Sequence, residues 1–227
     1  YPNNAIVGGS ADIAMGAALY KRVNCKDGMV IANIGDASLG CGPVWEAINM
    51  AAMDQYTQLW DEAHKGGLPI IFNFFNNQYG MGGQTCGETM AYNILARFGA
   101  GVNEDQMHAE RVDGFNPLAV IDAYKRKKAI IEERRGPVLL DVLTYRFSGH
   151  SPSDASSYRT KEELAAWQEV DPLITYRAEL VKAGIADDSA FEAILENVKK
   201  EMTEVVKLAV DPQTSPYMDL VAQPNAI

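Results

Sequence analysis

Apolar residues fall into short unbroken runs separated by helical stretches. Met29–Ile34 and Leu68–Phe75 are near-continuous apolar segments, and Val138–Tyr145 is a third. Runs of this length bounded by turn residues predict strands buried on both faces. Val112 heads a fourth, small strand ending at Asp113-Gly114. Between them the spacing turns helical. Ser10–Val23 carries Ile13, Ala14, Ala17 and Ala18 on one face, small enough for close packing against other backbone. Pro43 opens a helix with Val44, Trp45, Ile48, Ala51 and Ala52 on one stripe, Pro being favoured at a first helical position. Asp54–Gly67 continues that helix or forms an excursion, and Glu88–Phe98 reads as a short helix. Asn116-Pro117 starts another, with Asn as N-cap, ending before Gly136-Pro137. Strand–helix alternation on this scale predicts an α/β fold, a mostly parallel sheet with helices on both faces.

After Tyr145 the character changes. Ser148–Thr160 is a polar loop. From Lys161 the chain is helical, with starts at Asp171-Pro172 and Asp188-Ser189. The last helix carries Phe191, Ile194, Leu195, Val198, Met202, Val205, Val206 and Ala209 at 3.6-type spacing and stops at Asp211-Pro212, before an irregular tail from Gln213. The expected organisation is an α/β domain over 1–159 and a helical C-terminal extension over 160–227, packed on the same domain. No internal repeat occurs.

The 227 residues suffice for one large domain with an extension, and 47% hydrophobic with 22% charged residues is ordinary for a globular protein. A net charge of −10 argues against a nucleic-acid binder. The basic run Lys125-Arg126-Lys127-Lys128 is expected to be a solvated helix face. Cys25, Cys41 and Cys86 are scattered, without the spacing of a disulfide or zinc framework, which favours a reducing compartment. No apolar run reaches the roughly 18 residues of a membrane helix. The chain starts at Tyr1 without Met, as the remainder of a longer polypeptide would, which leaves room for a removed targeting segment.

Candidate chemistry sits where strands end. Gly35-Asp36-Ala37 closes the first apolar run and Asn76-Asn77 the second. Parallel sheets bind ligands beyond the carboxyl ends of their strands. A carboxylate and an amide at that edge suit Mg²⁺ carrying a phosphate, the set being Asp36, the Asn77 side-chain oxygen and a backbone carbonyl near Tyr79. Taken singly, each is equally a turn residue closing a strand. Gly40 and Gly42 allow a ligand close to the backbone, and the helix at Pro43 points free N–H groups toward an anion. His150 follows the third strand as a phosphate donor or proton handler, or simply as an exposed loop histidine. His64 and His108 have no such setting. Cys41 reads as a small filler, and Trp45, Trp60 and Trp167 as core or interface aromatics.

Several blocks in order resemble the α subunit, or α portion, of the E1 component of thiamine-diphosphate-dependent 2-oxo acid dehydrogenases, the group acting on pyruvate, branched-chain 2-oxo acids or acetoin. They are Gly35-Asp36-Ala37, Trp45–Ala51, Asn76–Met81, Arg111–Gly114, and Thr144–Ser151 through Ser157–Thr160, within a likeness running from Ile6 to about Leu220. The resemblance implies a thiamine-diphosphate-binding fold. It implies Mg²⁺ held by Asp36, Asn77 and the Tyr79 carbonyl, diphosphate contacts from Ala37 and Ser38, aminopyrimidine contacts from the backbone at Ala5 and Val7, and His150 beside the diphosphate and the reacting end. It further implies oxidative decarboxylation of a 2-oxo acid with acyl transfer to a lipoyl acyltransferase partner. The activating glutamate would come from a β subunit or β portion, Glu46 being a structural or interface residue, and the assembly would be an obligate oligomer of two α and two β chains. Ser151 and Ser157 match serines phosphorylated in some mitochondrial relatives. A bacterial cytoplasm is the expected location, with the mitochondrial matrix as the alternative.

Four departures stand out. Gly-Asp-Gly becomes Gly-Asp-Ala, which is costly only where that residue needs positive φ. The stretch between Asp36 and Asn77 is about a dozen residues longer than usual, a mild surface insertion. Ser148 replaces a histidine of pyruvate-type relatives. The family's upstream segment, which supplies further diphosphate contacts, is absent from this sequence. The alternatives are a transketolase-like or acetoin-cleaving thiamine enzyme, and a non-catalytic structural subunit of the same fold. A nicotinamide-binding domain is poorer, because no GxGxxG occurs.

Overall fold

The computed structural model describes residues 4–217 and 221; the sequence positions beyond them, Leu220 included, lie outside the description. The chain forms two compact units, one up to Ile174 and one from Thr175 onward.

The first unit is built on four parallel strands: β1 (Val30–Gly35), β2 (Ile70–Asn76), β3 (His108–Asp113) and β4 (Val138–Leu143), in spatial order β1-β2-β4-β3. Its helices are α1 (Gly9–Val23), α2 (Gly42–Ala51), α3 (Gln55–Gln58), α4 (Leu95–Val102), α5 (Pro117–Glu132) and α6 (Lys161–Glu169). Two apolar clusters lie on opposite faces of the sheet, as a period of two along each strand requires. One gathers Ala11, Ala14 and Ala18 of α1 and Val44, Ala47 and Ile48 of α2 with Phe72, Phe74 and Leu139. The other sets Ala123 and Ile131 of α5 against Ile71, Leu140 and Val142. The expected parallel sheet flanked by helices is present, but β1 is covered on one face only, with Ile31, Asn33 and Gly35 exposed on the other. The alanine face of α1 explains how that helix approaches the strands so closely.

Two expectations change. Val112 does not head its strand; it is the penultimate residue of β3, which begins at His108. β3 is an edge strand, mostly half-buried, so His108, Glu110 and Arg111 are tolerated and no apolar run marks it. Glu88–Phe98 is not one helix. The N–H groups of Thr89 and Met90 both donate to the Thr85 carbonyl, Gly87 takes φ 86°, and the helix starts only at Leu95. Asp54–Gly67 is an excursion, with α3 contributing buried Tyr56, whose ring meets Trp60 edge-on at 5.1 Å.

The basic run is not a uniformly solvated face. Lys127 is 8% exposed and pairs with Glu110 at 3.0 Å, while Arg126 forks onto the same carboxylate through two 2.6 Å hydrogen bonds. Trp45, expected as a core or interface aromatic, is not core. It is 40% exposed, packs edge-on against Phe98 at 4.2 Å, and donates its indole N–H to the Leu39 carbonyl. Asn116 caps α5 as expected, its side chain accepting from the N–H groups of Leu118 and Ala119.

Glycine is obligatory at the loops entering the sheet. A Cβ on Gly67 would lie 1.6 Å from the Gly136 carbonyl oxygen, so these two loops cross with no room for a side chain.

α7 (Pro172–Lys182) runs across the boundary between the units, and α8 (Asp188–Val210) makes up most of the second. Asp187 caps α8, and Arg177 lies over the Phe191 ring at 5.0 Å and pairs with Asp188. The periodic stripe Ile194, Leu195, Val198, Met202 and Val205 is about half exposed rather than core.

Candidate functional site at the strand carboxyl ends

β1 and β2 run in the same direction with Gly35 level with Phe75. Asp36 enters a 3-10 turn (Asp36–Gly40) as β1 ends, while β2 runs one residue further to Asn76 and the loop that follows begins at Asn77. Asn76 is wholly buried and donates to Asp141 Oδ1 at 2.8 Å, which ties the β2 exit to β4 beneath the loop.

After Asn77 the chain turns back on itself. Gln78 takes φ 64°, Tyr79 bridges to Gln84, and the Gly80 N–H donates to the Gly83 carbonyl at 2.9 Å. The Gly80-Met81-Gly82-Gly83 tip makes this reversal, and it returns Thr85 to the sheet edge. There the Thr85 hydroxyl donates to Asp36 Oδ2 at 2.7 Å. Thr85 was not singled out from the sequence; the glycine-rich turn flanked by Tyr79 and Gln84 was the available signal.

Asp36 is 1% exposed. Burial pushes its carboxyl above the usual carboxylate range, opposed by hydrogen bonds from the Thr85 hydroxyl and the N–H groups of Ala37, Asp36 and Gln78. Among the described residues no Lys, Arg or His side chain forms an ion pair with Asp36. A buried carboxylate without a counter-charge is costly, so a cation from outside the chain fits this position. No group of three or more His, Cys, Asp and Glu side chains is placed to hold a metal among the described residues. A cation here would rest on one carboxylate with amide and carbonyl oxygens, a donor set that suits Mg²⁺.

The other candidates are placed unevenly. Asn77 is half-buried, and its Oδ1 accepts the Tyr79 N–H at 2.9 Å. That bond orients the amide and uses one of the oxygen's two lone pairs. The hairpin's own hydrogen bonds take the Gln78 and Gly83 carbonyls, not that of Tyr79. Ala37 lies in the right-handed 3-10 turn, so its methyl is unstrained, and a Cβ on Gly80 would stand an ordinary 3.7 Å from it. Ser38 is half-buried in the same turn. Ala5 and Val7 are exposed, yet the segment is anchored near that turn: Gly8 has φ 87°, and a Cβ there would meet Cys41 Cβ at 2.8 Å.

His150 is exposed, and among the described residues its ring touches none of these groups. Its loop is nevertheless organised. Asp154 accepts the His150 N–H, the Ser156 N–H and the Tyr158 hydroxyl, which holds its carboxyl down at about 2. Arg159 donates to the carbonyls of Arg146 and Ser148 and to the Ser156 hydroxyl. Its guanidinium also lies 5.4–5.6 Å from the ring centres of Tyr79, Tyr145 and Tyr158. Beside Tyr79 a cleft of about 200 Å³ opens between the Asn77 loop and Tyr145, Glu163 and Trp167. The hydroxyls of Tyr79 and Tyr145 both donate to Glu163, and burial followed by that carboxylate pushes Tyr79 up to about 12. Ser151 and Ser157 are exposed on this loop.

A buried acid and an amide-bearing hairpin converge at the carboxyl edge of the parallel sheet of this α/β protein. The Dehydrogenase E1 component family matches residues 1–217, and the chain belongs to that family. It is 31% identical over 220 residues to the pyruvate dehydrogenase E1 component subunit alpha of Rickettsia conorii, covering 96% of this chain and 61% of that protein. The somatic mitochondrial forms from Bos taurus and Homo sapiens are each 33% identical over 225 residues, covering 97% of this chain and 52% of theirs. The chain thus spans between about half and three-fifths of the length of these relatives.

Proposed function

We propose that this chain forms the thiamine-diphosphate and Mg²⁺ half of a 2-oxo acid dehydrogenase E1 site. The observation that carries the proposal is Asp36, a buried carboxylate with no ion-pair partner among the described residues, joined by the Thr85 hydroxyl to the hairpin that begins at Asn77. The Asp36 carboxylate, the free lone pair of Asn77 Oδ1 and the Tyr79 carbonyl would hold Mg²⁺, which would neutralise the diphosphate. The backbone of Ala37 and Ser38 and the amino end of α2 receive the diphosphate, because free N–H groups and the helix dipole favour an anion there. The Ala5–Val7 segment meets the aminopyrimidine. His150 is presented to the diphosphate and the reacting end by a loop that Asp154 and Arg159 hold.

Bound thiamine diphosphate supplies the electron sink for decarboxylation. This chain neutralises and orients the diphosphate, and the partner β chain contributes the activating glutamate. The acyl product passes to a lipoyl acyltransferase. Two α and two β chains form the working enzyme, and the names of the relatives favour pyruvate as the 2-oxo acid. Three free cysteines suit a reducing compartment, the bacterial cytoplasm or the mitochondrial matrix. The ground for a non-catalytic subunit weakens, since Ala37 is unstrained where it stands.

The test is calorimetric titration of thiamine diphosphate with Mg²⁺ into the assembled enzyme. Asp36→Ala should weaken binding by more than the roughly hundredfold that loss of an outer partner costs. Unchanged affinity would sink the metal assignment. CO₂ release from a 2-oxo acid, rather than ketol transfer between sugars, distinguishes the dehydrogenase from a transketolase-like enzyme.

A further inference from the structure

The opposite edge of the sheet carries a second, larger cleft of about 360 Å³. Gly28, Met29 and Pro69 bound it, just before β1 and β2 begin. Asp36 and Asn77 follow the other ends of those strands, about 20 Å away at roughly 3.3 Å per residue.

This cleft is cationic in a protein of net charge −10. Lys21, Arg22, Lys26, Lys128 and Arg134 line it, against Asp27 and Glu132. Glu132 is taken by Lys128 at 2.5 Å, and Lys21 reaches the backbone carbonyl of Asp27 at 2.7 Å. Among the described residues no carboxylate forms an ion pair with Lys21, Arg22, Lys26 or Arg134.

Arg22 makes the arrangement unusual. It is 9% exposed, donates to the Gly67 carbonyl, and leaves its Nε without a partner among the described residues. Burial, and then the charge of Arg134, press on its proton, yet a guanidinium remains charged in proteins. Arg134 is fixed from its own side: its backbone has φ 59°, its carbonyl accepts the Gly67 N–H at 2.7 Å, and its Nη1 donates to the carbonyls of Ala63 and Lys65. Neutral carbonyls hold both guanidinium groups in place without neutralising them. A buried positive charge beside another is costly unless an anion completes the set, and guanidinium forks match phosphate oxygens.

We propose that this cleft binds a phosphate group, held by Arg22 and Arg134 with Lys26 at its mouth. The site is independent of the thiamine diphosphate site and uses none of its residues.

The experiment is calorimetric titration of inorganic phosphate, and separately of ADP, into the full chain. Saturable one-to-one binding is expected, weakened at least tenfold by Lys26→Glu and by Arg134→Gln and unchanged by Asp36→Ala at the far edge. Lys26 is exposed, so its variant tests the site without risk to folding. Tighter binding of ADP assigns a nucleotide, and equal binding assigns free phosphate. Absence of saturable binding, or phosphate binding that survives Lys26→Glu, overturns the proposal.

Discussion

The Thr85 hydroxyl donates to Asp36 Oδ2 at 2.7 Å, joining residues 49 apart in sequence, both almost fully buried. This one bond closes the hairpin after β2 onto the turn after β1, and it fixes which way the buried carboxylate faces. Thr85→Val keeps the shape and removes the donor. A buried hydrogen bond to a charged group contributes about 1.5–3 kcal/mol, so the urea midpoint should fall accordingly. Affinity for thiamine diphosphate with Mg²⁺ should drop about 10–100-fold, as for other partners that orient a ligand, with Thr85→Ser recovering most of it. Wild-type affinity in the valine variant would show that Asp36 is oriented by other contacts.

Ala37 occupies a right-handed turn, so the family's glycine offers no relief of strain at this position. Ala37→Gly should lower stability by about 0.5–1 kcal/mol through backbone entropy and leave cofactor affinity within twofold. A tenfold gain in affinity on calorimetric titration would mean that the methyl obstructs the diphosphate.

Arg159 clamps the His150 loop through planar donors and three aromatic faces. Lysine keeps the charge but cannot reproduce the fork. Arg159→Lys should speed chymotryptic cleavage within residues 147–158 while leaving the melting of the sheet core nearly unchanged. Equal cleavage rates would show that the loop is held without Arg159.

Glu110 is held down at about 2, chiefly by the Arg126 hydrogen bonds, with Lys127 adding to them, against an unfolded value near 4.5. A depressed carboxyl stabilises the fold above its unfolded value, and that contribution is lost as pH falls from about 4.5 toward 2. Glu110→Gln should cost roughly 1 kcal/mol at pH 7, the upper end for ion pairs that touch water. Denaturation of both proteins across that range should show the difference vanish at the acid end; a gap that persists at pH 2 would mean that packing, not charge, is lost.

Much of this was legible in the chain itself. β2 and β4 are buried on both faces and β1 on one, its Ile31, Asn33 and Gly35 being exposed, yet all three carry apolar runs that announce them, and Asp36 and Asn77 are conspicuous because polar residues abruptly end those runs. Only the end of β3 at Val112-Asp113 is legible; its start is hidden because an edge strand accepts His108 and Glu110. Lys127 looked solvated because nothing near it in sequence reveals Glu110 on the neighbouring strand.

Local patterning alone determined β1, β2 and β4, the helices that start at Pro43 and Pro117, the Asn116 cap and the strand-end positions of the acid and the amide. Only the tertiary structure decided that Thr85 would hold Asp36, that Trp45 would be 40% exposed, and that Arg22 and Arg134 would share a cleft with neither in an ion pair among the described residues. Periodicity and capping act over a few residues and are written in the order of the chain. Contacts between distant residues depend on strand order and on how loops cross, which appear only once the sheet has assembled.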